Sequence, residues 1–169
     1  LVPLRALGQT EVIPCALPGG QVVVIHPAPS YVNEQMAAGM TWAQVLDAIQ
    51  QKDAPAVAVC GPPVDRATLP GRRFRDAWRK PGDTVVVDLP LARQQRAEEL
   101  TREIDGKIRA SADRELATGD ADDPPRQAAH KAHRTRLRAL RAALAAHLGA
   151  VMTPEALHAW TPIYPALVE

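Results

Sequence analysis

Histidine, cysteine and serine are the residues of this chain that could carry chemistry, and their spacing limits what that chemistry can be. His130 and His133 stand three residues apart, a spacing that can provide two metal ligands on one helix. No cysteine or carboxylate completes such a site locally, so we interpret the pair as two half-exposed histidines. The sequence predicts neither a metal site nor a cofactor.

Cys15 and Cys60 are the only cysteines, and they lie far apart without a CxxC spacing. This pattern indicates neither a disulfide framework nor a zinc site. We expect two small buried thiols in a reducing compartment. A thiol nucleophile paired with His26 stays open as an alternative, because neighbours in space need not be neighbours in sequence.

The motifs of common enzymes are missing from the sequence. Gly106-Lys107 lacks the upstream glycine of a phosphate-binding loop, and no GxGxxG, HExxH, GxSxG or EF-hand sequence occurs. Ser30 and Ser111 are the only serines, which leaves few candidates for a serine nucleophile. We therefore expect a protein that is not an enzyme.

Few large apolar side chains are available to form a core that would hold the histidines, cysteines and serines in place. The chain has one Phe, two Tyr and three Trp, and its formal net charge is +1. The core should therefore be thin, and no overall field that attracts polyanions is expected. The apolar runs are too short to cross a bilayer, so we expect no membrane contact.

The residue pattern predicts an α+β protein in four parts. Prolines and glycines break residues 1–30, which we expect to form an extended arm that contains one clear strand at 22–25. Residues 31–88 should form a small domain with a capped helix after Thr41, strands at 56–60 and 84–87, and one core shared by Trp42, Phe74 and Trp78. Residues 89–150 should form a long antiparallel helical hairpin, and residues 151–169 a short helix with an extended tail.

Narrow apolar stripes run along both helices of this hairpin, predicted over residues 89–118 and 125–148. Their spacing is typical of a coiled-coil seam, and the first stripe continues to Leu116. A thin core implies that the hairpin packs against itself or against neighbouring subunits, and whether the aromatic residues of the tail cover their own domain or a neighbour stays open. The residues predicted to contact other proteins are Leu100, Ile104, Ile108, Leu137, Leu140, Leu144, Trp160 and Tyr164.

Basic residues are concentrated in the second helix and in the stretch 72–80. Either cluster could follow a nucleic-acid backbone. However, the first helix carries acidic residues such as Asp105 and Glu115, and antiparallel packing would place some of them beside the basic helix. We therefore interpret the hairpin as a pair of helices whose charges compensate each other, and we expect no nucleic-acid partner.

Several motifs occur in a fixed order: LPGRRFRDAW, then VVVDLPLAR, then a charged helix that ends in RELATGD, and finally TPEALHAW. This order resembles a module found in the tail-gene regions of tailed bacteriophages, and the likeness covers about residues 56–160. The resemblance implies a structural virion component of the tail, fibre or baseplate, made in the cytoplasm of the bacterial host. Its implied partners are other virion or tail proteins and further copies of the chain.

Two other functions stay open. A tail-fibre assembly chaperone would bind fibre subunits and be missing from the mature particle. A nucleic-acid-binding regulator would use the basic second helix.

Overall fold

The structure is a computed structural model that describes residues 10–117 and 123–167. The chain divides into two compact units, Leu1–Asp88 and Leu89–Glu169. All described strands lie in the first unit, whereas the second contains a long helix pair and a short C-terminal helix. The predicted α+β class is confirmed.

The first unit is built on strand β1 (Glu11–Ala16), which pairs on both of its sides. Strand β2 (Val22–Ile25) is antiparallel to β1 on one side. Strands β3 (Val59–Cys60) and β4 (Val64–Asp65) are antiparallel to it on the other. Gly20 has a φ of 78° in the turn between β1 and β2, a conformation that a residue with a side chain adopts only with strain.

The central strand contains a proline, which a β-bulge accommodates. Cys15 pairs with Cys60 and Val12 with Val64, so three residues, 61–63, lie opposite two residues of β1. The Gly61 N–H donates to the Pro14 carbonyl over 2.9 Å. Because the N–H and C=O of one residue point to the same side of a strand, the N–H that Pro14 lacks would have faced this bulge. Residues 11–16, expected in an extended arm, therefore form the central strand instead.

One face of the sheet packs against two helices. Ile13, Cys15 and Ile25 are buried with side chains of α1 (Pro29–Ala37) and α2 (Trp42–Asp53). Helix α2 begins with the predicted capping box, in which Thr41 and Gln44 bond each other's backbone N–H groups.

The opposite face of the sheet packs against a two-stranded ribbon, β5 (Trp78–Arg79) and β6 (Val86–Val87). Trp78 is buried there with valines from β1 and β2, whereas Trp42 packs with the cluster on the helical face. The two clusters lie on opposite faces of the sheet because successive side chains of β1, such as Val12 and Ile13, alternate in direction. The single shared aromatic core that we expected is therefore wrong.

Cys15 and Cys60 form a disulfide that joins β1 to β3. The expectation of two free thiols is wrong, and the proposed thiol nucleophile beside His26 is excluded with it. The two residues are 45 positions apart. They meet because β3 pairs with β1 in a register that places Cys60 opposite Cys15.

The second unit is a helical hairpin with a C-terminal extension. Helices α3 (Leu89–Ala117) and α4 (Pro124–Gly149) lie antiparallel, since Glu115 pairs with Arg134 and Asp105 with Arg141. Helix α5 (Pro154–Ala159) follows. The acidic turn expected between α3 and α4 falls on residues 118–122, outside the described residues. Within the described part of the chain, no helix has the length and apolar character needed to span a membrane.

We predict that removal of the disulfide lowers the free energy of unfolding of the first unit by about 4 kcal/mol. This value is the loop-closure entropy expected for two cysteines 45 residues apart. The measurement is denaturant unfolding of the wild type with and without a reducing agent, and of the double variant Cys15→Ala/Cys60→Ala. The reducing agent should leave the double variant unchanged. Equal stability of all three samples would contradict the prediction.

Candidate functional site

The seam of the helical hairpin contains most of the predicted contact residues. Leu100 and Ile104 of α3, with Leu137 and Leu144 of α4, are almost fully buried within the second unit. These four side chains already have partners in their own chain. Ile108 and Leu140 are half-buried at the same seam.

The sequence predicted that the apolar stripe on α3 continues to Leu116, and this prediction is wrong. Leu116 is 81% exposed, and the buried face passes through Ser111 instead. A helix turns by about 100° per residue, so a side chain five positions beyond Ser111 points well away from the buried face. The seam therefore ends on a polar residue, and a leucine is left on the surface.

A covering segment, which we define as residues 160–167, lies along the hairpin. Arg96 of α3 donates a hydrogen bond to the Trp160 carbonyl over 2.8 Å, and Arg136 of α4 donates to the Ala166 carbonyl over 3.1 Å. The Lys107 ammonium lies 4.2 Å from the centre of the Tyr164 ring. Trp160 and Tyr164, which we expected to contact other proteins, are thus half-buried on their own hairpin.

Arginine holds the extension in place where a larger core would use apolar contacts. Arg96 is only 6% exposed and also pairs with Glu99 over 2.8 Å. Arg93 donates through Nε to the Val151 carbonyl over 3.0 Å. Because guanidinium groups carry several donors in a fixed plane, each can bond an extended backbone while its stem covers apolar surface.

A cavity of about 290 Å³ lies between the hairpin and the covering segment. Polar side chains form much of its wall. They are Lys107, Ser111, Arg114, His130, His133 and Tyr164. Ser111 Oγ lies 3.1 Å from His130 Nδ1, and both residues are buried.

A serine beside a histidine is the pair that activates a nucleophile in many hydrolases. Ser111, however, lies inside α3, where the backbone N–H groups are bonded to carbonyls one turn earlier. No backbone donors are therefore free to stabilise the oxyanion of an acyl-transfer transition state. We assign the contact a structural role: it pairs two polar groups in an otherwise apolar seam.

Two residues of the cavity wall have shifted pKa values. Burial lowers the pKa of His133, and the positive charges of Arg136 and Arg134 lower it further, although an interaction with the Ala166 backbone opposes them. Burial also raises the pKa of Tyr164, together with the nearby Glu103 carboxylate. The Tyr164 hydroxyl is buried near that carboxylate.

Among the described residues, no further ligand completes a metal site around the histidine pair. Across residues 10–117 and 123–167, no three His, Cys, Asp or Glu side chains are grouped as a metal ion would require. His130 is engaged with Ser111, and His133 faces arginines. The expectation of two half-exposed histidines is wrong for His130, which is 2% exposed, whereas His133 is half-buried.

The charges of α4 are compensated in part by α3, as the sequence predicted. Arg134 pairs with Glu115, and Arg141 pairs with Asp105 over 2.6 Å. Arg136 bonds the covering segment. Three cations of the basic helix thus have partners within the unit.

The sequence reasoning missed the buried Ser111–His130 pair and the arginines that hold the extension. A signal for His130 was present, since it lies seven residues before Leu137 and fourteen before Leu144, on the same stripe. No comparable signal marks Arg93 or Arg96, because their carbonyl partners are about sixty residues away.

Comparison of this chain with protein-family models, with curated proteins and with solved structures finds no match.

We predict that Ile104→Ala lowers the stability of the hairpin by about 2 to 5 kcal/mol, because it removes buried methyl groups from the seam. Leu116→Ala is the matched control, since that side chain is 81% exposed and should change stability very little. Urea unfolding followed by helical circular dichroism measures both. Similar losses in the two variants would show that the seam does not support the hairpin.

We also predict that the second unit loses stability as pH falls below about 6.5, the ordinary histidine value. The pKa of His133 is lowered in the folded state, so the unfolded chain binds a proton more readily, and acid favours unfolding. His133→Gln should reduce this pH dependence. His158→Gln, at an exposed histidine, is the matched control and should retain it. Melting temperatures across the range check the prediction, and identical pH profiles for His133→Gln and the wild type would refute it.

Proposed function

We propose that this chain is a structural component of a tailed-phage virion, in the tail, fibre or baseplate region, and that it acts through protein–protein contacts. The order of LPGRRFRDAW, VVVDLPLAR and TPEALHAW supports the assignment to such a particle. The fold supports the mode of action, since two small units with thin cores offer surface for partners.

The observation that carries the choice among the alternatives is the disulfide between Cys15 and Cys60. Disulfides persist in oxidising surroundings, such as the surface of a released virion, and are rare in a reducing cytoplasm. An assembly chaperone and a nucleic-acid-binding regulator would both act in the cytoplasm. A virion component is made there as well, but it functions after release.

The proposed contacts with neighbouring proteins are made by large apolar side chains that are exposed in this chain. In the second unit these are Leu116, Met152 and Ile163, and Ile163 is 94% exposed. The backbone on both sides of Ile163 is bonded to the hairpin at Trp160 and Ala166, so the side chain is presented on a fixed segment. Other tail proteins or further copies of the chain are the proposed partners.

The ion pairs of the hairpin count against the regulator. Nucleic-acid affinity grows with the number of cations that reach phosphates, and several cations of α4 are already engaged within the unit.

We predict that the chain is present in purified particles of the phage that encodes it, with Cys15 and Cys60 joined. Particles are treated with an alkylating agent, digested without reduction and analysed by mass spectrometry. The expected result is a linked pair of peptides that contain the two cysteines. Reduction before digestion is the control and should release them as separate peptides.

Absence of the chain from particles, together with its recovery bound to fibre protein in lysates, would replace this proposal by the assembly chaperone. If the chain is present in particles but both cysteines are alkylated, the disulfide no longer supports the proposal.

A further inference from the structure

A cavity of about 60 Å³ in the first unit is lined by four basic side chains. His26 follows β2, Arg66 lies in the 3-10 turn after β4, and Arg72 and Arg75 come from the 3-10 segment Arg72–Ala77. All four residues are exposed. They converge although they come from three separate parts of the sequence.

The arginines of this cavity are not neutralised within the unit. In the same stretch, Arg79 pairs with Asp88 and Lys80 with Asp83. By contrast, the side chains of Arg66, Arg72 and Arg75 form neither a hydrogen bond nor an ion pair with any described residue. Although His26 is exposed, partial desolvation of its imidazole and the charges of these three arginines lower its pKa, as expected where positive potential accumulates.

Trp78 forms part of the cavity wall and is 2% exposed. Its indole Nε1 is buried and has no hydrogen-bond partner among the described residues. An indole nitrogen can only donate, so the partner it lacks is an acceptor. A buried donor without an acceptor is costly. Three guanidinium groups around one small cavity favour a ligand that carries negative charge on oxygen.

Carboxylates of the unit do not fill this role. Asp65 and Asp76 are close in sequence, but neither lines the cavity. The Asp65 carboxylate accepts instead from the Ala67 N–H over 2.9 Å.

We propose that this cavity binds the carboxylate of an Asp or Glu side chain that a partner protein presents. Val24, Leu69 and Trp78 give the cavity an apolar wall that suits the methylene stem of such a side chain. The cavity is small, which suits one carboxylate group. Trp78 is buried and offers no exposed face for stacking on a base, which disfavours a single-stranded nucleic acid.

This inference uses the proposed mode of action, contact with another protein, but not the location in a virion. It is tested on the purified chain, so its failure and the failure of the virion assignment are distinguishable. A chain that binds the ligand but is missing from particles would retain the site and lose the location.

The test is a titration followed by the indole N–H signals in nuclear magnetic resonance spectra. Only three tryptophans are present, and Trp42→Phe and Trp160→Phe identify two of the signals, so the third belongs to Trp78. The probe is the blocked peptide acetyl-Ala-Glu-Ala-amide at low ionic strength, where charge pairs are least screened. We expect a saturable shift of the Trp78 signal, and no shift with the matching glutamine peptide.

Variants then assign the effect to the cavity. Arg75→Gln should weaken binding of the glutamate peptide by roughly tenfold, the loss of one charge-assisted contact. Arg73→Gln is the matched control. Arg73 is two residues from Arg75 and carries an equal charge, but its side chain does not line the cavity. A dispersed amide spectrum shows that each variant is folded.

Four results would overturn the proposal. They are the absence of a saturable shift, equal responses to the glutamate and glutamine peptides, equal weakening by Arg75→Gln and Arg73→Gln, and tighter saturation of the Trp78 signal by inorganic phosphate or an oligonucleotide.

Discussion

A shortage of large apolar side chains is the constraint on which the rest of this structure depends. With one Phe, two Tyr and three Trp, neither unit can gain much free energy from aromatic burial. Each face of the sheet buries only a small cluster of mostly aliphatic residues. The first unit adds a covalent link between Cys15 and Cys60, which restricts the unfolded chain. The second unit adds guanidinium bonds from Arg93 and Arg96 to distant carbonyls.

Polar contacts of this kind define the arrangement more than they stabilise it. Exposed ion pairs such as Arg141–Asp105 contribute little free energy each. The buried Ser111–His130 contact has a different consequence, because a slip of the seam by one turn would separate two polar groups that are shielded from water. Aliphatic side chains alone would tolerate several registers. One polar pair in the seam disfavours the others, as a buried polar residue does in a coiled coil.

Local patterns predicted the two long helices and α2 well, but they missed α1 and predicted the sheet poorly. The bounds of α3 and α4 follow from a periodicity that lies within each helix, so sequence alone contains the information. Strand β1 was missed because Pro14 argues against a central strand, and only the bulge at residues 61–63 makes it acceptable. The disulfide and the basic cavity were missed for a related reason. The register of β1 and β3 brings Cys15 and Cys60 together, and the tertiary fold brings His26 and Arg75 to one cavity; no local pattern encodes either.

The disulfide stabilises only the first unit, whereas arginine side chains hold the extension of the second, and this difference bears on the proposed function. Both cysteines lie in the first unit, so reduction weakens that unit and leaves the contacts of the hairpin unchanged. Without the disulfide, the first unit is held by its strand pairings and its two small apolar clusters. Oxidation then adds stability without a change of fold, since the register of β1 and β3 already places the two sulfur atoms together. A gain in stability that depends on oxidation is consistent with the proposed function on a released particle.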